Sequence, residues 1–202
     1  MFINAIAVAF SLFALIETFG SVSGSHFNPA MTLALCLTKD IGKRKAAYYV
    51  GAQFAGGFVG LLATHLMFYD TNQILITISA NAKMPGLYFA EFVGSFILVG
   101  VIYGCIRGSS KHTSLSVSYI VGGMLITTSS TMYANPAVTL NRMFTYAICG
   151  IEPSSTLIFI IMEISGAVAV AAAFRIIFLG KLKEKCDPFE CPPKKIIEAK
   201  DL

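Results

Sequence analysis

The sequence predicts an all-α membrane fold, a bundle of five spanning helices with two shorter helical pieces set between them. Three observations predict it. Of 202 residues, 55% are hydrophobic and only 13% charged, with a mean hydropathy of +0.71, too few polar groups to coat a water-soluble globule of this size. Five stretches are long and apolar enough to cross a hydrocarbon layer about 30 Å thick as helices rising about 1.5 Å per residue. The block from His26 to Leu33 also returns from Tyr133 to Leu140, 107 positions later, so the chain is built from two related halves.

Taken in order, the expected spans are residues 1–19, 46–68, 87–106, 115–131 and 156–179, the fourth weakest because Ser and Thr interrupt it. The first has no basic residue ahead of its apolar run and no small-residue cleavage pattern, which sets it apart from a secretory signal. Each repeated block follows a span, is about half a span long and precedes another span, the pattern of a re-entrant half-helix. Asn is a favourable N-cap and Pro fits the first helical position, where its missing N–H breaks no bond. Asn28, Pro29 and Ala30, and again Asn135, Pro136 and Ala137, therefore each start a short helix. The backbone ahead of them, residues 20–27 and 129–134, is expected to be non-helical, which at membrane depth survives only inside protein or along a watery path. One domain covers residues 1–180, with halves at 1–68 and 85–180; residues 181–202 form a polar, Pro-containing tail expected to be flexible.

Lys39, Lys43, Arg44 and Lys45, then Arg107 and Lys111, then Lys181, Lys183 and Lys185 mark three cytoplasmic regions and place the C-terminus inside. The net charge of +4 thus belongs to topology determinants and not to a nucleic-acid surface. Counting back through five crossings puts Met1 outside, with nothing ahead of the first span to direct it there. The repeat offers an account. The second half has a span starting at Leu87, about 50 residues before Asn135, and its first-half counterpart would start about 20 residues before Met1. The expectation is an N-terminally shortened form of a six-span protein.

The run Ser23, Gly24, Ser25, His26, Phe27, Asn28, Pro29, Ala30 with Thr32, and Asn135, Pro136, Ala137 with Thr139, resembles the two signature loops of aquaporins and aquaglyceroporins, the major intrinsic protein superfamily. Gln53-Phe54-Ala55-Gly56 and Ala90-Glu91-Phe92-Val93-Gly94 are similar to further family patterns. The resemblance extends to about residue 179 and lacks the family's first helix with its glutamate. It implies a right-handed bundle whose half-helices enter from opposite sides and meet at the midplane. It also implies a homotetramer in the cell membrane with one pore per chain, passive passage of small neutral solutes, and loop-bracing roles for Glu91 and His26. Two helix N-termini facing one point sum their positive ends and repel cations. Asn28 and Asn135 add side-chain N–H donors for a passing oxygen.

Carried over by position, the family's outer constriction falls on Val8, Gly123, Met132 and Val138. Water-strict members have an aromatic ring, a histidine and an arginine there. With none of these, the opening is expected to be wider and less polar, suited to water, glycerol, urea or the neutral hydroxides of arsenic and antimony. The second loop is similar to that of a prokaryotic subgroup associated with such solutes.

Glu17, Glu91, Glu163 and His65 lie within apolar spans, where an unpaired charge costs several kcal/mol. Glu163 falls where the repeat expects a counterpart of Gln53, with a buried hydrogen-bonding role; Glu17 and His65 find no place in the scheme. Arg142, seven positions after Asn135, lies on about the same helix face and is read as an interfacial anchor, with capping of the outer vestibule as the second reading. Gly56 with Gly60, and Gly100 with Gly104, fit close helix packing. Cys36, Cys105 and Cys149 are taken as small apolar residues, while Cys186 and Cys191 in the tail fall two ligands short of a closed metal site. No phosphate-binding loop, zinc-spaced cluster or nucleophile motif occurs, so no enzyme, cofactor or metal is expected. Two rival functions stay open: a non-conducting truncated channel or assembly partner, and a proton-coupled transporter using the buried acids as a relay.

Overall fold

The computed structural model describes residues 1–185, with side chains to residue 177. Those residues form seven helices and no strand: α1 (Phe2–Ser23), α2 (Pro29–Leu37), α3 (Lys43–Met67), α4 (Pro85–Arg107), α5 (Thr113–Thr127), α6 (Pro136–Arg142) and α7 (Pro153–Lys185). Four of them, α1, α3, α4 and α7, are long and apolar enough to cross a membrane, which makes this an integral membrane protein. The fifth expected span is shorter, because α5 has 15 residues. The chain leaves the helix at Thr128 to form the loop before α6.

The other departures are at element ends. Helix α1 runs on to Ser23, four residues past the expected break at residue 19, and stops where Gly24 takes a left-handed C-cap with its N–H on the Gly20 carbonyl at 2.9 Å. Helix α7 runs to Lys185. The rest of the expected tail, with Cys186 and Cys191, lies outside the described residues.

Both short helices begin at their Asn. The Asn28 Oδ1 accepts from the N–H of Ala30 at 2.9 Å and Met31 at 3.5 Å, and the Asn135 Oδ1 accepts from Ala137 at 3.1 Å and Val138 at 3.4 Å. Pro follows at the first helical position in each. The loops ahead of them share a backbone pattern as well. Gly24, Ser25 and Phe27 have positive φ, and so do Thr131, Met132 and Ala134, the same three places in the repeat. Left-handed backbone at a residue with a Cβ costs about 1–2 kcal/mol, so two matched sets of strained residues require something to hold them.

The core is assembled around α2, α4 and α7. Ala30, Met31, Ala34 and Leu35 of α2 pack on Val99 and Tyr103 of α4 and on Ala167, Val170 and Ala171 of α7. A second cluster joins Leu98 of α4 and Val117 and Met124 of α5 to Met132 and Ala134 of the second loop. Helix α1 pairs with α5, where a Cβ on Gly122 would stand 3.0 Å from the Ala9 Cβ. Helix α6 lies between α3 and α7. At one end of the bundle, the Arg107 guanidinium donates to both oxygens of Asp40 at 2.8 and 2.7 Å, and Thr38 meets the Tyr103 hydroxyl at 2.8 Å. These contacts put the basic segments around residues 39–45 and 107–111 on one side.

Close packing through glycine is not where the sequence spacing put it. A Cβ on Gly56, Gly60 or Gly104 would meet open space, and only Gly100 of those four touches a neighbour, Val170, at 3.3 Å. The tight crossing is α4 against α7 at Gly166. A Cβ there would run into the Phe92 carbonyl oxygen, 3.0 Å from the Phe96 nitrogen and 3.2 Å from the Ser95 Cβ. In the repeat, α7 corresponds to α3, yet among the described residues α3 has no helix beside it in the place that α4 occupies beside α7.

Gly166→Val is expected to push α4 from α7 and cost about 1–3 kcal/mol, whereas Gly104→Ala, into open space, is expected to leave stability equal or higher. Thermal unfolding in detergent checks this; equal melting points for both variants would refute the Gly166 crossing.

Candidate functional site

The tips of α2 and α6 meet inside the bundle and are locked by a reciprocal pair of hydrogen bonds. The Asn28 Nδ2 donates to the Ala134 carbonyl at 2.7 Å, and the Asn135 Nδ2 donates to the Phe27 carbonyl at 2.8 Å. Each amide therefore spends its oxygen on its own helix and one hydrogen on the opposite loop. One hydrogen per amide remains as a donor. Asn28 is buried, while Asn135 is part-exposed and lines a large cavity.

Each tip is also gripped from the long helix that follows it. In the first half, the Thr32 hydroxyl lies 3.0 Å from the Asn28 carbonyl, to which it donates, and its oxygen accepts from Gln53 Nε2 of α3 at 3.1 Å. The His26 Nδ1 lies 3.1 Å from the same oxygen. Because the Thr32 proton is engaged on Asn28, the His26 Nδ1 carries the hydrogen and donates. The imidazole is set edge-on against Tyr49 at 5.0 Å, and the Tyr49 hydroxyl donates to the Ser23 carbonyl at 2.9 Å. In the second half, Thr139 donates to Glu163 Oε1 of α7 at 2.5 Å. Gln53 and Glu163 thus occupy matching places.

Glu91 of α4, fully buried, holds the second loop: its Oε1 accepts from the Tyr133 N–H at 3.0 Å and its Oε2 from the Ala134 N–H at 2.7 Å. These bonds fix two residues within the strained turn, left-handed Ala134 and its neighbour Tyr133. Among the described residues, no carboxylate stands at the corresponding His26 and Phe27 amides. The first loop relies on His26 and its neighbours.

The cavity, about 1060 Å³, extends along α3 and α6 and is lined by Phe27, Gln53, Gly56, Asn135, Val138 and Arg142 among others. Of the four positions expected at an outer constriction, Val138 lines it. The Met132 side chain is buried, 5% exposed, in the α4–α5 core. Gly123 lies on a separate pocket of about 210 Å³ between α1 and α5. Val8 is on α1 and lines neither of these two cavities.

The two residues the sequence left unplaced have structural partners. His65 is buried, with Nδ1 2.6 Å from the Leu75 carbonyl, Nε2 2.9 Å from the Thr145 hydroxyl, and its ring stacked on Tyr146 at 4.8 Å. A carbonyl only accepts, so Nδ1 carries a proton and donates to Leu75. His65 thereby ties the end of α3 to the loop after it and to the segment after α6. Glu17 accepts from Ser114 and joins α1 to α5. Sequence reasoning missed the seat of Arg142, whose guanidinium lies 4.0 Å from the centre of the Tyr133 ring.

Residues 1–134 match the family described as "Major intrinsic protein". An aquaglyceroporin of Rhizobium meliloti (strain 1021), AqpS, is 36% identical over 172 residues, covering 85% of this chain and 73% of its own. A probable aquaporin of Archaeoglobus fulgidus, AqpM, is 31% identical over 84% of this chain and 74% of its own. Nodulin-26 of Glycine max is 28% identical over 86% of this chain and 64% of its own.

Glu91→Gln keeps the size of the side chain but turns one acceptor into a donor facing a buried N–H. A buried polar group left without its partner costs about 1–3 kcal/mol, so the variant is expected to melt lower in detergent than Glu17→Gln, which changes an exposed side chain. Equal stability of the two would remove Glu91 as the brace of the second loop.

Proposed function

The chain belongs to the major intrinsic protein family, whose members are channels and not enzymes, and from that premise we propose that it passes small uncharged solutes passively down their gradients. The observation that carries the reading is the meeting of two helix N-termini through the reciprocal bonds of Asn28 and Asn135. Each N-terminus presents roughly half a positive charge, so the meeting point raises the energy of a cation while leaving a neutral solute unaffected. A hydroxyl-bearing solute recovers part of its lost hydration from the remaining amide hydrogens and the loop carbonyls.

The solute class is glycerol-like, with water, urea and neutral metalloid hydroxides as further candidates. Val138 supports this: it is apolar and on the cavity wall, where a guanidinium would narrow the path. Val8, Gly123, Met132 and Val138 remain our assignment for the outer selector on grounds of position in the repeat, and Val138 is the member that carries weight. The working unit is a homotetramer in the cell membrane, with its C-terminus in the cytoplasm on the side of Lys43, Arg44, Lys45 and Arg107.

A second reading is an assembly partner or a channel that conducts only when a further helix covers α3. It is favoured by one observation, the exposed flank of α3 at Gly56 and Gly60. A proton-coupled transporter has less support. Glu91 and Glu163 touch one another, but Glu17 and His65 bond elsewhere and do not extend that contact into a chain.

Light-scattering permeability of proteoliposomes tests the proposal, using this chain and a version with an apolar helix added ahead of Met1. The expected result is glycerol flux well above empty vesicles and independent of a pH gradient. No flux from either version would reject the channel; flux from the extended version alone would select the second reading. Val138→Arg is expected to cut glycerol flux by about tenfold and water flux by about threefold or less, since a guanidinium narrows the path most for the larger solute. An equal effect on both would sink the selector role of Val138.

A further inference from the structure

Arg142 is half-buried at the end of α6, and its surroundings do not suit an anchor reaching for lipid headgroups. Its guanidinium lies over the face of Tyr133 at 4.0 Å, close enough for the ring's negative face to hold it. That ring is itself fixed. The Tyr133 N–H is on Glu91, its hydroxyl donates to the Cys149 carbonyl at 2.8 Å, and its ring packs edge-on against Phe159 at 5.2 Å. Arg142 therefore has a rigid seat, and it lines the same cavity as Asn135 and Val138.

Seven residues along a helix return to within about 20° of the starting direction and advance about 10 Å. Arg142 thus stands on the conduit face of α6, about 10 Å outward of the Asn135 amide. Lys83 brings a second cation, 5.9 Å from the same ring centre. Burial first and the Arg142 charge second hold its ammonium below the usual lysine range, so the two charges feel one another. Among the described residues neither forms an ion pair; the one ion pair found there joins Arg107 to Asp40.

We propose that Arg142, seated on Tyr133, is a charge-selecting residue of the outer mouth, rejecting cations there and offering guanidinium N–H donors to the oxygens of neutral solutes. This rests on the channel reading above. It assigns to the end of α6 the electrostatic barrier that apolar Val138 does not supply one turn further in.

The test uses the full chain in proteoliposomes, with uptake of labelled guanidinium, a cation at any working pH, set against glycerol uptake in the same vesicles. Arg142→Gln is expected to raise the guanidinium-to-glycerol ratio about tenfold, and Arg142→Lys to hold it near the wild-type value, because charge and not shape sets a Coulomb barrier. A Gln variant that takes up glycerol with an unchanged ratio would overturn the proposal, as would a Lys variant no better than Gln. Should the Gln variant fail to fold, salt decides on the wild-type chain. Raising ionic strength from about 0.01 M to 0.3 M shortens the screening length from about 30 Å to under 8 Å, and should raise the ratio severalfold; a ratio indifferent to salt rejects the barrier. Absence of glycerol uptake by both the wild type and the version extended ahead of Met1 would instead reject the channel reading, and this proposal with it.

Discussion

Two side-chain amides, each bonded to the backbone of the opposite half, set the terms for the rest of the molecule. The carbonyls that accept from Asn135 and Asn28 belong to Phe27 and Ala134, and those same two residues hold left-handed backbone at φ 46° and 43°. Strain and bond therefore come as a unit in each loop. The turn that is costly for a residue with a Cβ belongs to the residue whose oxygen receives the opposite asparagine. Without the cross-bond, each loop would have a reason to relax and no reason to stay.

Holding two helix tips together is unfavourable in itself, because two positive ends are brought close in a medium of low dielectric. Glu91 helps offset this by placing a carboxylate on the Tyr133 and Ala134 amides, directly behind one tip. Thr139 with Glu163 on α6, and Thr32 with Gln53 on α2, fasten each helix one turn along by a hydrogen bond. Five of the polar residues buried in this otherwise apolar bundle, Asn28, Thr32, Glu91, Thr139 and Glu163, gather around the two tips. Glu91 and Thr139 are fastened to specific partners there, which suits them to fixing geometry, while Glu163 Oε2 and Gln53 Oε1 are buried without a partner.

How much of this the sequence made legible follows from how local each cause is. An Asn-Pro start needs only the next three residues to express itself, so both half-helices and their caps could be read directly. Glu91 was legible through the resemblance of Ala90-Glu91-Phe92-Val93-Gly94 to a family pattern. The close approach of α4 to α7 was not, because glycine spacing along one helix says nothing about which glycine faces a neighbour; Gly166 does, and Gly56 and Gly60 do not. The expected end of α1 at residue 19 falls four residues short, because the glycine with the left-handed cap is Gly24. Arg142 was placed on the right face of α6 by periodicity, but its seat depends on a ring nine residues earlier. Transfer by position gave four residues for an outer constriction, and Val138 is the one on the large cavity.

The two halves share a repeat but are not held alike, and the difference bears on what limits passage. The second loop is fastened by a carboxylate from a separate spanning helix. The first is fastened by His26, Thr32 and Tyr49, side chains from its own turn and from the next helix. Short-range fastening of this kind leaves the flank of α3 uncovered, and the cavity follows that flank past Gln53, Gly56 and Gly60 to His65. Glycine there exposes helix backbone and adds no bulk, so the width of the path on that side is not set by α3. The opposite wall is the α6 face that carries Asn135, Val138 and Arg142 in succession along the helix. On the proposed channel reading, donor, apolar surface and cation along one short helix form an ordered sequence of demands on a solute: be uncharged at the mouth, shed water past the valine, and regain a hydrogen bond at the asparagine.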